Sequence, residues 1–240
     1  MSLRLGFDID GVLANFRAAF RSTAAKLVRG DLENFDPDQT EGESQLSPND
    51  VRRVWDHIAK APNWWMEIDA YEPEQIARLY GLTRAAGWEV FFMTKRPPSA
   101  GDSVQFQTQW WIERFGFYLP AVMTVPGSRG DVANALRLDL IVDDQLINCV
   151  EVVSASPTKA ILMQRSNDTA AKDHATSRGI GVVATMADAL GVIERLQEVI
   201  PQKRGRLLRL TEWFAPHAEV QTLPQNPRSV RPIPPFRDPR

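Results

Sequence analysis

The sequence predicts an α/β fold, a Rossmann-like doubly wound parallel sheet with a helical cap inserted after its first strand. Short apolar runs recur along the chain, helical periodicities lie between them, and one long stretch after the first run has no strand character.

In the first run, Leu3, Leu5 and Phe7 alternate as strand residues do, and polarity then appears abruptly at Asp8 and Asp10 before Gly11 closes the segment. Residues 14–29 read as a helix, 31–48 as a polar stretch containing Pro37 and Pro48, and 49–61 as a second helix capped by Ser47. Residues 14–71 are therefore expected to form a helical cap, placed to fold over the sheet as a lid. The core is expected to comprise 1–13 and 72–200. It resumes with a helix at Gln75–Ala86 and a strand at Trp88–Met93, followed by a helix at Val104–Phe115 and a strand at Ala121–Val125. A short helix at Val132–Leu136 and strands at Leu138–Val142, Lys159–Met163 and, more weakly, Gly181–Val183 come next, and a helix at Met186–Val199 ends the core. The segment RSNDTAAKDH after the fifth strand reads as a solvated loop, and Trp110 and Trp111 as core. Residues 201–240 hold 8 of the 17 prolines and 8 basic residues against 3 acidic ones, a composition expected of an extended or disordered tail.

Composition narrows the function classes. The 240 residues are 43% hydrophobic, enough for a substantial core, and the net charge of -2 gives no global reason to expect nucleic acid or an anionic membrane as partner. The one cysteine, Cys149, cannot form an intramolecular disulfide and reads as a buried small hydrophobe. No apolar run reaches membrane-spanning length and no signal-peptide pattern precedes the first strand, so a soluble, cytoplasmic protein is expected. His57, His174 and His217 are scattered without metal-ligand spacing.

The chemistry lies at the strand ends. Asp8 and Asp10 follow the first strand, Thr94, Lys95 and Arg96 the second, Arg129 the third, and Asp143 and Asp144 the fourth, and a doubly wound sheet brings these to one edge. Four carboxylates gathered there repel one another and need a cation, for which oxygen-only ligands favour Mg²⁺ held by Asp8, Asp10, Asp143 and Asp144. The Thr94 hydroxyl and the Arg129 cation point to an anion beside the metal, and a phosphoryl group suits both. An isolated calcium loop is excluded, because no acid follows Asp8 and Asp10 with EF-hand spacing.

DIDGVL, FFMT and LIVDD together resemble the first, second and fourth motifs of the haloacid dehalogenase superfamily of phosphohydrolases. The resemblance implies that Asp8 is the nucleophile that becomes an aspartyl phosphate, and that Asp10 is the general acid and base. It also implies that Asp143 and Asp144 complete a metal site with Asp8 and the backbone carbonyl of Asp10. The family's third motif is normally a lysine; Arg129 is the best-placed residue here, with Lys95 as an alternative source of charge. Over residues 3–145 the chain is most similar to the 5′(3′)-deoxyribonucleotidases, through DIDGVLANF, NWWMEI, FFMTKRP and QWWIERFGF. That likeness implies nucleobase contacts from Phe16, Trp64 and Trp65, with Thr94, Lys95 and Arg96 on the substrate side. The expected substrate is a nucleoside monophosphate. Alternatives are a sugar phosphate, another small phosphomonoester or a nucleic-acid terminal phosphate, and a catalytically weak member that binds nucleotide or a partner protein. A homodimer is left open.

Overall fold

The computed structural model describes residues 2–27 and 46–199. The expected tail, together with much of the polar stretch 31–48, lies outside the described residues. Six strands form one all-parallel sheet: β1 (Arg4–Asp8), β2 (Glu89–Thr94), β3 (Ala121–Thr124), β4 (Leu140–Asp143), β5 (Lys159–Met163) and β6 (Gly181–Val183). Their order is β3-β2-β1-β4-β5-β6. The first strand is thus central, with successive connections winding outward on either side, the doubly wound arrangement expected from the sequence. Helices α1 (Phe16–Leu27), α2 (Pro48–Lys60) and α3 (Pro73–Ala86) fall between β1 and β2, and α4 (Val104–Arg114) between β2 and β3. The remaining ones are α5 (Arg129–Ala135), α6 (Leu146–Ala155), α7 (Thr169–Thr176) and α8 (Met186–Val199). No described helix is long and apolar enough to cross a membrane.

Both faces of the sheet are covered, as an all-parallel sheet requires. Alternation along the strands divides the core in two. Leu5, Phe7, Phe92, Val142 and Ile161 pack with Ile76 of α3, Trp111 of α4 and Leu190 of α8, whereas Met93, Ile141 and Leu162 pack with Ala133 of α5 and with Cys149 and Val152 of α6. By the same alternation, Asp8 and Asp143 project to the α5 and α6 side. The register pairs Asp8 with Met93, Thr94 with Thr124 and Asp143 with Leu162, so the ends of β1, β2 and β4 are level and their polar residues share one edge.

Ser47 caps α2 by accepting from the Asp50 N–H at 3.2 Å, as its sequence position predicts. Three readings are corrected. RSNDTAAKDH is not a loop throughout: Asp168 accepts from the Ala171 N–H at 3.0 Å and starts α7, so a cluster resembling turn chemistry is an N-cap followed by alanines. Helix α6 was hidden because LINCVEVVSA is apolar almost throughout and rich in β-branched residues, which obscures any helical period. Trp111 is fully buried, but Trp110, one position earlier and turned away from the core, is 44% exposed.

The segments entering and leaving the insert run side by side. Ala14 bridges Ala70, the Asn15 N–H donates to the Asp69 carbonyl, and the Tyr71 N–H donates to the Leu13 carbonyl. Further along, the insert is tied to the loop after β2 and to α4. The Trp65 indole N–H donates to the Pro97 carbonyl, the Asn63 N–H to the Ala100 carbonyl, and the Trp111 indole N–H to the Ile68 carbonyl.

Candidate active site

The strand-end residues converge on a cavity of about 360 Å³ beyond the carboxyl ends of β1, β2 and β4, where the sheet's connections diverge. Asp8, Asp10 and Asp144 line it together with Arg17, Lys95, Arg96 and Arg129. Asp143 lies fully buried beside Arg129.

Arg129 is the most unusual group. It opens α5, whose N-cap Ser128 accepts from the Gly130 and Asp131 N–H groups, and its own N–H donates to the Glu151 carboxylate at 3.0 Å. Gly130 lets α5 approach α6 closely, since a Cβ there would stand 2.8 Å from the Glu151 carbonyl oxygen and 2.7 Å from Ala155 Cβ. The Arg129 side chain is almost entirely buried. Its Nη2 donates to Asp8 at 2.5 Å and its Nε lies 3.7 Å from Asp143, but neither Nε nor Nη1 has a hydrogen-bond partner among the described residues. Buried guanidinium nitrogens are costly to leave unsatisfied.

The acids around it are perturbed. Burial holds the Asp8 carboxyl well above the usual carboxylate range, repulsion from Asp143 adds to this, and Arg129 partly offsets both. Asp143 is also raised by burial, against the opposing effect of bonds from the Gln145 backbone N–H at 2.8 Å and the Asn148 amide at 3.0 and 3.1 Å. Asp144 is pushed up to about 7 by burial and by Asp143, although Arg17 stands 3.8 Å away and the Gln145 amide donates to it. Gly11, at φ +85°, makes room for that carboxylate: a Cβ at this position would lie 2.1 Å from Asp144 Oδ2.

Asp10 has a different partner. Arg96 Nε donates to both of its oxygens, at 3.2 and 2.9 Å, and Nη2 donates to Oδ1 at 2.9 Å. Nη1 donates to the Thr108 hydroxyl at 3.2 Å, and the guanidinium lies 4.9 Å from the Trp65 ring centre and 5.9 Å from that of Trp111. Thr94 Oγ1 stands 3.4 Å from Asp10 and accepts from the Arg96 N–H.

Of the residues expected on the substrate side, Phe16, Trp65, Lys95 and Arg96 line the cavity; Trp64 packs against Phe16 and Trp65 but does not line it. Trp65 is only 1% exposed, with Phe16 stacked against it at 5.9 Å. Sequence reasoning missed Trp55, which lines the cavity and stacks with Phe16 at 5.7 Å, and also Arg17, Gln145 and Asn148. Trp55 and Phe16 sit on separate helices of the insert, so no local motif links them. Asn148 could have been suspected from its place one turn into the helix after the Asp143–Asp144 pair.

No family model and no curated protein matches the sequence. Solved structures do resemble the fold. A candidate β-phosphoglucomutase from Bacteroides vulgatus aligns with TM-score 0.52 and 12% identity over 84% of this chain and 91% of that one. Another, from Thermotoga maritima, aligns with TM-score 0.50 and 16% identity over 82% of this chain and all of that one, at 100%. At such identities the likeness is one of fold alone, a doubly wound parallel α/β sheet of the kind seen here.

Proposed function

We propose that the protein is a phosphomonoester hydrolase acting through an aspartyl phosphate on Asp8. The observation that carries this reading is Arg129: a buried guanidinium held by Asp8, with Nε and Nη1 unpartnered beside a cavity, is suited to a phosphoryl oxygen. Charge agrees with it. Asp8, Asp10, Asp143 and Asp144 already face Arg17, Lys95, Arg96 and Arg129, so a phosphate dianion and a divalent cation entering together leave that balance unchanged.

Mg²⁺ fits the chemistry of the donor set, since the acids offer only oxygen, and burial together with repulsion from Asp143 holds the Asp8 carboxyl high. Among the described residues no three acids already form a convergent metal-binding group, so a cation would have to gather them. Asp8, Asp143 and Asp144 with the backbone carbonyl of Asp10 would hold Mg²⁺, which when bound supplies charge neutralisation on the phosphoryl oxygens.

The chain's own residues account for the rest. A carboxylate oxygen of Asp8 attacks phosphorus as the bond to the leaving oxygen breaks, and Asp10 delivers a proton to that oxygen. Asp10, now a carboxylate, then takes a proton from water as the water oxygen attacks phosphorus and the bond to Asp8 breaks. Inorganic phosphate and the free alcohol are the products. Arg129 offsets charge on the phosphoryl oxygens, and Thr94 orients them.

A nucleoside monophosphate, of the kind hydrolysed by 5′-nucleotidases, is the preferred substrate. The Phe16–Trp55 pair supports it by presenting an aromatic wall on the cavity's insert side. A sugar phosphate is the second reading, favoured by the near-complete burial of Trp65 between Arg96 and Phe16, which removes one expected stacking surface.

Phosphate release from deoxynucleotide, ribonucleotide and sugar monophosphates, with Mg²⁺ and with EDTA, tests the proposal. Metal-dependent release is expected, with nucleotides preferred, and Asp8→Asn should lower it by about 10⁴-fold or more. Release that persists in Asp8→Asn would remove the nucleophile assignment, and absence of turnover across the panel would favour a nucleotide-binding role.

A further inference from the structure

We propose that Arg96 is a positioning residue that holds the Asp10 carboxylate, through both of its oxygens, as the base for aspartyl-phosphate hydrolysis. This inference rests on the phosphohydrolase reading and departs from the expectation that Arg96 binds substrate. Every nitrogen of its guanidinium already has a partner within the protein: Nε and Nη2 on Asp10, Nη1 on Thr108. Its side chain has no exposure at all, whereas that of Asp10 is 24% exposed. The arginine is therefore the fixed half of the pair and the aspartate the half that meets the cavity.

The fork has one place to be. Trp65 and Trp111 lie against the guanidinium, and the Arg96 backbone N–H is tied to Thr94 Oγ1, which fixes the start of the side chain as well as its end. Asp10 lies outside β1 and has no strand ladder to orient it beyond an isolated bridge to Ala14. A guanidinium donates and accepts nothing, and Nε with Nη2 reaches both oxygens of Asp10, so the fork fixes the direction and tilt of the group that takes the proton from water in the second half-reaction. A lysine at this position would retain positive charge but lose the two parallel N–H groups.

The test separates the two half-reactions with p-nitrophenyl phosphate, whose leaving group departs without a proton. In Arg96→Lys, kcat should fall by about 100-fold while kcat/KM, which reports the first step, changes by less than about fivefold. Rapid mixing should show a burst of nitrophenolate approaching one equivalent per site, because aspartyl phosphate accumulates. Arg96→Ala should show the same burst, and added guanidinium should restore its slow phase, which a general loss of folding would not allow. A rise in KM with unchanged kcat, or equal falls in kcat and kcat/KM without a burst, would overturn the role and return Arg96 to substrate binding. Absence of wild-type turnover with Mg²⁺ would overturn the phosphohydrolase reading and this inference with it, whereas wild-type turnover abolished by Asp8→Asn but unaffected by Arg96→Lys would overturn this inference alone.

Discussion

Two buried arginines pair with two aspartates a single residue apart, and the pairs are built in opposite ways. Arg129 touches Asp8 and stands near Asp143, yet keeps two guanidinium nitrogens without partners. Arg96 touches Asp10 and has every nitrogen engaged, with two indole rings against it. A buried donor left unpaired costs about 1–3 kcal/mol, so evenly satisfied arginines would be the more stable design. The unevenness says what each is for. Unused donors beside a cavity suit a ligand that arrives and leaves, while a saturated fork suits a group that must stay in place through a reaction.

The comparison breaks most severely at Arg129. Arg129→Met should leave Asp8 and Asp143 buried together without a cation, at a cost on the order of 3 kcal/mol in denaturant unfolding. Phosphate release should fall by about 10³-fold, the scale of losing a preorganised donor to a charged transition state. Arg129→Lys should recover most of the stability but only part of the turnover, because charge returns without the second donor direction. If both variants matched wild type in phosphate release, the contrast between the arginines would have no functional content.

Legibility in the sequence follows the same division. The acids were readable because β1 and β4 are short apolar runs that end abruptly in aspartates, and a parallel sheet brings such ends to one edge. Arg129 was readable because it follows the third strand, where a doubly wound sheet brings strand-end residues to the same edge. The Arg96–Asp10 fork was not, since nothing in FFMTKRP tells which of two adjacent cations turns inward; Lys95 turned out exposed and Arg96 buried. That outcome is decided by Trp65, Thr108 and Trp111, which arrive from the insert and from α4. The Trp55–Phe16 stack escaped for a similar reason, as pairing between two helices leaves no trace in either one's periodicity. Helix α6 shows that a helix with apolar residues on its exposed side as well, Ile147 among them, loses the amphipathic signal that identifies surface helices.

A change between the pairs sharpens the contrast. Gly11 follows Asp10 directly, and its missing side chain is where the Asp144 carboxylate stands. Gly11→Ala should destabilise the fold by about 1–3 kcal/mol through its φ of +85° and the close approach of the new Cβ. It displaces Asp144 while leaving both arginine pairs in place. The expected signature is therefore a higher Mg²⁺ requirement for phosphate release with the p-nitrophenol burst absent, in contrast to Arg96→Lys. An unchanged Mg²⁺ titration would detach Asp144 from metal binding.

The smallest effect is expected at Thr108, whose hydroxyl completes the Arg96 set. Thr108→Val keeps the shape of a fully buried side chain and removes the acceptor for Nη1, together with a bond to the Val104 carbonyl. The fork onto Asp10 uses Nε and Nη2 and stays intact, so the stability cost should be about 1 kcal/mol and the loss of kcat no more than about threefold. The variant gives Arg96 an unpaired nitrogen, as Arg129 has two, without opening it to the cavity. If saturation matters because it fixes the fork, a weak burst with p-nitrophenyl phosphate should appear in Thr108→Val, intermediate between wild type and Arg96→Lys. If turnover and burst both stay at wild-type values while stability falls, the indole rings and the Thr94 tether alone hold Arg96, and the Thr108 bond serves folding rather than the orientation of Asp10.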